Sequence, residues 1–217
     1  MRTHVYIDGY NLYYGCLKRT PYKWLNIHAL CCALLPQNDI RAIRYFTAQV
    51  SGTPHDPDQP TRQQTYFRAL RTLPQVSIHL GHFLTHEVTM PDAADWKNGR
   101  YTERQVMKTE EKGSDVNLAT YLLVDAFDDA FDVAVIVSND SDLKEPISVV
   151  RNRFGKTIGI LNPQKRVSRA LKPYAHFIKQ IRPGVLKNSQ FPNTMQDAKD
   201  SSTSRRAGRR PSQIRRR

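Results

Sequence analysis

Residues 132–138, DVAVIVS, form an almost unbroken apolar run that stops at Ser138, and two carboxylates, Asp140 and Asp142, follow at once. A strand with no polar face must be covered on both sides, which is the condition of a central parallel strand between layers of helices. The flanking sequence supplies those helices. Upstream, SDVNLATYLLVDAF (114–127) carries Val116, Ala119, Leu123 and Ala126 at helical spacing. Downstream, Leu143, Ile147, Val150 and Phe154 recur at the same period, Gly155 stops the pattern, and KTIGIL (156–161) reads as the next strand.

The same alternation runs through the rest of the chain. HVYI (4–7) reads as a buried strand ended by Asp8-Gly9, and NLYYGCLK as a short helix. NIHALCCALLP (26–36) reads as a helix beginning near Asn26, and IRAIRYFTAQV (40–50) as a strand. After a loop rich in Pro, Asp and Gly (51–60) comes a helix over 61–73, capped by Thr61. VSIHLGHFLTHEV (76–88) and YTERQVM (101–107) are expected to be the two arms of a hairpin, and AHFIKQI (175–181) a last strand. Strands alternating with helices predict an α/β sandwich around a mainly parallel sheet, occupying residues 1–182.

Residues 183–217 are polar, rich in Ser and Arg, and without periodicity; they read as a disordered basic tail. They hold nine Lys/Arg against two Asp, so +7 of the net charge of +13 lies there and +6 in residues 1–182. A polyanionic partner, with nucleic acid foremost, follows from that balance. No stretch is apolar for long enough to suggest a membrane-spanning helix, and the N-terminus meets Asp8 too early for a secretory signal. Cys16, Cys31 and Cys32 make no CxxC pair and are expected to be reduced thiols in a cytoplasmic protein, the latter two as packing residues.

In open α/β sheets ligands bind beyond the carboxyl ends of the strands. Asp8 ends the first strand, and Asp140 and Asp142 follow the strand 132–138. Asp115, at the start of the helix 114–127, is a fourth carboxylate. Each has a simpler explanation: Asp142 with Glu145 fits a helix capping box, Asp115 suits a helix dipole, and Asp8-Gly9 suits a turn. Together in one crevice, however, they would repel one another strongly, and a divalent cation relieves that repulsion. All-oxygen ligation suits Mg²⁺ or Mn²⁺, and no Cys/His cluster stands at zinc spacing. Nucleotide-binding signatures are missing: the chain has no GxxxxGK[ST], no GxGxxG and no G-x-S-x-G elbow.

Three blocks, YIDGYNLYYG (6–15), KGSDVNLATYLLVDAF (112–127) and VIVSNDSDLKEPISVVRNRFGKTIGIL (135–161), carry a resemblance to the NYN domains, a branch of the PIN-like nuclease superfamily. The resemblance covers about residues 3–180. It implies a Rossmann-like, PIN-like three-layer sandwich and metal-dependent cleavage of RNA by a pocket of Asp8, Asn11, Asp115, Asp140 and Asp142. Where the family often has glycine before the paired aspartates this chain has Asn139, which tolerates the left-handed conformation of such a turn. Many PIN-like nucleases add a further acid, for which Glu110 and Glu111 are the candidates.

On this reading Asp8 and Asp140 bind Mg²⁺ or Mn²⁺, with Asp142 and Asp115 as direct or water-mediated ligands. Asn11 orients a carboxylate or contacts a phosphate of the substrate, Lys112 contacts the substrate backbone, and Tyr10 and Tyr14 stack on unpaired bases. Two other readings remain open. One is a PIN-like module that binds RNA or protein without cutting, although clustered carboxylates do not help to bind a polyanion. The other is a metal-dependent phosphatase; such enzymes often carry Asp-x-Asp after the first strand, where this chain has Asp8-Gly9-Tyr10.

Overall fold

A computed structural model describes residues 1–196 and 213–215 of the chain. The elements, in chain order, are β1 (Arg2–Asp8), α1 (Gly9–Leu12) running into a wider helical turn at Tyr13–Leu17, α2 (Ile27–Leu34), β2 (Asp39–Ala48) and α3 (Gln59–Leu70). There follow β3 (Val76–Pro91), α4 (Ala93–Lys97), β4 (Glu103–Lys112), α5 (Ser114–Phe127), β5 (Val133–Val137) and α6 (Lys144–Asn152). The chain continues with β6 (Thr157–Asn162), β7 (Phe177–Gln180) and α7 (Pro183–Asn188). Two short strands, β8 (Thr194–Gln196) and β9 (Gln213–Arg215), pair antiparallel with each other.

The main sheet has seven strands in the order β4-β3-β2-β1-β5-β6-β7, all parallel except β4. This is the α/β, mainly parallel architecture expected from the alternation. β5 is buried along its whole length, as its apolar run requires. Two apolar cores flank the sheet. One is built from α2, α3 and the α1 region, with Leu12, Leu30, Phe67 and Leu70; the other comes from α5 and α6, with Leu118, Leu122, Ile147 and Val150. Chain order reverses between β1 and β5: β2 and β3 lie to one side of β1, and β5, β6 and β7 to the other. A crevice opens at such a switch point, because the connections on either side leave along opposite faces.

Four expectations need correction. The apolar stripe of α5 is rotated: Leu118, Leu122 and Ala126 are buried, while Val116 is 68% exposed. Helix α3 begins at Gln59, with Pro60 in its first turn and Asp58 at its cap position, so Thr61 lies inside the helix; proline is tolerated there because that N–H has no helical partner. Cys32 is exposed, and only Cys31 packs in the core. Finally, ordered packing continues beyond residue 182. α7 buries Leu186, and Phe191 is buried with its N–H bonded to Trp24 O. The basic remainder of the expected tail falls largely outside the described residues.

Candidate active site

β1 and β5 pair in register with Ile7 opposite Val137, so Asp8 and Ser138 leave the sheet side by side at its carboxyl end. The Asp8 carboxylate is only 4% exposed. It accepts from Asn11 N at 2.8 Å through Oδ1 and from Ser138 Oγ at 2.9 Å through Oδ2. Ser138 Oγ in turn accepts from Asp140 N at 3.1 Å, so one hydroxyl joins the Asp8 carboxylate to the Asp140 backbone. Asp140 turns back to cap the following helical turn through Asp142 N, at 3.0 Å. The cap is therefore Asp140, not an Asp142–Glu145 box. Gly9 is required beside Asp8, because a Cβ there would meet Phe46 O at 2.7 Å and the Tyr45 ring at 2.8 Å.

Electrostatics tie the remaining acids to this point. Burial, opposed in part by the hydrogen bonds from Asn11 and Ser138 and reinforced by the charges of Asp115 and Asp140, pushes the Asp8 carboxyl up to about 6. Asp115 is likewise raised, by burial first and then by Asp140, Glu111 and Asp142. Five carboxylates therefore share one field: the four expected ones and Glu111. Glu111 is held at the α5 N-terminus, where it accepts from Ser114 N at 3.1 Å and Ser114 Oγ at 2.7 Å.

The two candidate extra acids separate here. Glu110 is paired with Lys108 at 2.6 Å and with Lys112 at 3.1 Å, and these hydrogen bonds lower its carboxyl to about 2. Lys112 is thereby engaged by Glu110. Tyr10 is anchored: its hydroxyl donates to Ala48 O at 3.1 Å and accepts from Ala48 N at 3.2 Å, while its ring meets the edge of Phe83. Tyr14 is 60% exposed, between Tyr10 and Lys18 Nζ, which lies 4.5 Å above its ring. Asn11 spans the crevice, its Oδ1 accepting from Asn139 N at 3.1 Å.

Sequence reasoning had no means of choosing Glu111 over Glu110; the choice is made by the β3–β4 register, which sets Phe83 opposite Glu111. Gly81, the one glycine of β3, makes room for it. A Cβ at position 81 would collide with Glu111 Oε1, stand 2.5 Å from Lys112 O and 3.0 Å from Ser114 N. Gly81→Ala should therefore loosen the α5 N-terminus and cost about 1–3 kcal/mol, the usual range for overpacking. A urea midpoint no lower than wild type would remove this close approach from the account.

The donor chemistry fits a hard divalent cation. The acids are all carboxylates, with no Cys or His among them, and two are held against their own charge. Among the described residues, no three His, Cys, Asp or Glu form a ready-made metal cage. Mg²⁺ is commonly held through one or two carboxylates and its own waters, for which a set of carboxylates without Cys or His is chemically suited.

Comparison with known proteins agrees with the fold. The chain is 34% identical, over 90% of its length and 72% of the relative's, to 6-hydroxy-3-succinoylpyridine 3-monooxygenase HspA of Pseudomonas putida. Its structure resembles VPA0982, a protein of unknown function from Vibrio parahaemolyticus, with a TM-score of 0.56 at 17% identity over 84% of this chain and 93% of that one. The match to the NYN domain family spans residues 2–182, from the start of β1 to the loop after β7, and includes every carboxylate of the crevice; the chain belongs to that family.

Proposed function

We propose that the chain is a divalent-metal-dependent nuclease that hydrolyses RNA phosphodiesters at the β1/β5 crevice. The observation carrying this reading is the convergence of Asp8 and the Ser138–Asp140 turn at the carboxyl ends of β1 and β5, where burial first, and then the charges of Asp115 and Asp140, push the Asp8 carboxyl up to about 6. A carboxylate so perturbed, in a crevice at a topological switch point, is a functional-site candidate. Asp8 and Asp140 would hold Mg²⁺ or Mn²⁺, with Asp142, Asp115 and Glu111 as direct or water-mediated ligands. When bound, the ion supplies Lewis acidity toward a phosphoryl oxygen and a more acidic water.

The chain's own groups do the rest. The hydrogen bonds from Asn11 N and Ser138 Oγ orient the Asp8 carboxylate, and a cation beside it would favour its charged form. Ser138 fixes the Asp8 oxygens against Asp140. Asn11 keeps the Asn139 backbone, and with it the Asp140 turn, at a set distance from α1. Tyr14 is the exposed aromatic available to an unpaired base, whereas the anchored Tyr10 supports it from behind.

A second reading rests on the 34% identity to a protein named as a monooxygenase of a hydroxylated pyridine. One preparation separates the two. Single-stranded RNA is incubated with Mn²⁺ or with EDTA, and 6-hydroxy-3-succinoylpyridine is incubated with O₂ and a reductant such as NADH. Metal-dependent shortening of RNA is the expected result. Intact RNA together with substrate-dependent O₂ consumption would replace the nuclease reading by the oxygenase one.

A further inference from the structure

Beside the carboxylates lies a cavity of about 610 Å³, lined by Asn11, Gly15, Asn139, Gln164, Lys165 and Arg166. Two of its walls belong to the crevice already described, and its other side is the loop leaving β6. We propose that this loop, residues 164–168, is a preformed seat for a backbone phosphate of the nucleic-acid strand. The assignment deepens the nuclease reading and rests on it for the identity of the polyanion.

Three observations carry the proposal. The first is charge. Five carboxylates share the crevice, and a polyanion must find compensating cations close by. Several basic groups around the sheet are already committed: Lys112 to Glu110, Arg44 to Asp125, and Arg2 to Asp129 and Asp132. Lys165 and Arg166 are exposed and make no ion pair among the described residues. Guanidinium and ammonium groups left without carboxylate partners at a cavity rim suit phosphate oxygens.

The second observation is rigidity. The loop is tied down at both flanks by buried or half-buried amides. Asn162, fully buried, accepts from Gln164 N at 3.1 Å and donates to Gln164 O at 2.8 Å, and Gln180 Nε2 donates to the same oxygen at 2.7 Å. At the other flank Asn139 donates to Arg166 O at 2.9 Å and accepts from Ser168 N at 2.6 Å. Two cationic side chains on a pinned backbone lose less entropy on binding than they would on a free loop.

The third is connection to the acidic site. Asn139 immediately precedes Asp140, so one side chain sets the distance between loop and carboxylates. Asn11 closes the circuit: its Oδ1 is used by Asn139 N, while its Nδ2 has no protein partner among the described residues and remains a donor lining the cavity. Gly15 completes the wall. A Cβ there would stand 3.0 Å from both Pro163 Cβ and Pro163 O and 3.1 Å from Gln164 Nε2. The α1 region and the loop approach closely at this point, so Gly15 sets the distance between them.

The test is binding, read apart from cleavage. The full chain is titrated in EDTA with a fluorescein-labelled single-stranded RNA of about 12 nucleotides at several salt concentrations. Removing one phosphate contact on a single strand reduces the slope of log K against log salt by about 0.7. Arg166→Ala should lower it by about that amount, and Lys165→Ala/Arg166→Ala by about 1.4, with affinity falling at least about tenfold in the double variant. Arg153→Ala removes an equal charge near the amino ends of the strands and should leave the slope unchanged. Because a small dicarboxylate presents similar charge, succinate is titrated in parallel. Loss of succinate binding with unchanged RNA binding overturns the phosphate assignment, and so does an unchanged RNA slope with no succinate effect. A chain that shows the expected slopes yet never cleaves with Mn²⁺ refutes the catalytic reading alone.

Discussion

In metal-free buffer at neutral pH, Asp8→Asn should melt several degrees above the wild-type chain, and it should fail to cleave RNA when Mn²⁺ is restored. Both effects come from the same cause. Asp8 is 4% exposed and its carboxyl sits at about 6, against 3.8 for a free aspartate. Each pKa unit corresponds to 1.36 kcal/mol, so holding the charge costs up to about 3 kcal/mol at pH 7. Asparagine keeps the shape: Oδ1 can still accept from Asn11 N, and the Ser138 hydroxyl can turn to accept from the new amide. A gain of about 1–3 kcal/mol in a chain of this size raises Tm by roughly 3–10 °C.

The pH dependence follows with a definite sign. Because the folded pKa of Asp8 is raised, its contribution to stability is fully present below about 3.8 and is lost as pH rises through about 6. Wild type should therefore gain stability from this group on acidification from pH 7 to 4, and the variant should lack that gain. On the proposed function, cleavage should drop by at least about 100-fold, since a carboxylate proposed to hold the metal is removed and several kcal/mol of charge stabilisation with it. A variant melting no higher than wild type would show that Asp8 is not held against its charge, and near-normal cleavage would take Asp8 out of the site.

The parts of this site that are readable in the sequence are those fixed by strand ends. Asp8 follows an apolar run directly, Asp140 and Asp142 follow one within five residues, and a parallel sheet puts the ends of β1 and β5 together. Asp115 is readable because it opens a long amphipathic helix. Glu111 is readable only as one of two neighbours: it stands three residues before Ser114, and the β3–β4 pairing together with the Lys108 and Lys112 partners of Glu110 separates it from Glu110. The anion-seat loop is equally hidden: Asn139 and Asn162 look like ordinary loop polar residues until their partners at 164–168 are known. α7 was lost inside the composition of a charged tail, although PGVL and Phe191 cover the first core. The rotation of the α5 stripe has a similar origin. Asp125 sits on the buried side of that helix, where hydropathy alone never places an aspartate.

Replacing Asp125 by alanine should be the most destabilising single change available outside the apolar cores. Asp125 is 6% exposed and collects four donors from three strand residues. Its Oδ2 accepts from Tyr6 Oη at 2.7 Å, Arg44 Nε at 2.7 Å and His4 Nδ1 at 3.2 Å; its Oδ1 accepts from Arg44 Nη2 at 2.7 Å. Burial opposes the charge, yet the hydrogen bonds from His4, Arg44 and Tyr6 outweigh it and hold this carboxyl well below the usual range. The partners lie 121, 119 and 81 positions away along the chain, so this network fastens α5, which carries Asp115, to β1 and β2. Alanine would leave the Arg44 guanidinium and the buried Tyr6 hydroxyl without their acceptor, which typically costs about 3–5 kcal/mol. The expected fall in Tm is roughly 6–20 °C. Acid should act in the opposite sense from Asp8: the lowered folded pKa means that this stabilisation is present above about 3.8 and is lost as pH falls through the folded value. In a double-mutant cycle with Arg44→Ala, measured by urea unfolding, the coupling should exceed about 1.5 kcal/mol, because the second removal relieves the charge stranded by the first. Additive losses would mean that Asp125 and Arg44 stabilise the protein independently, and that α5 is held to the sheet by its apolar side chains alone.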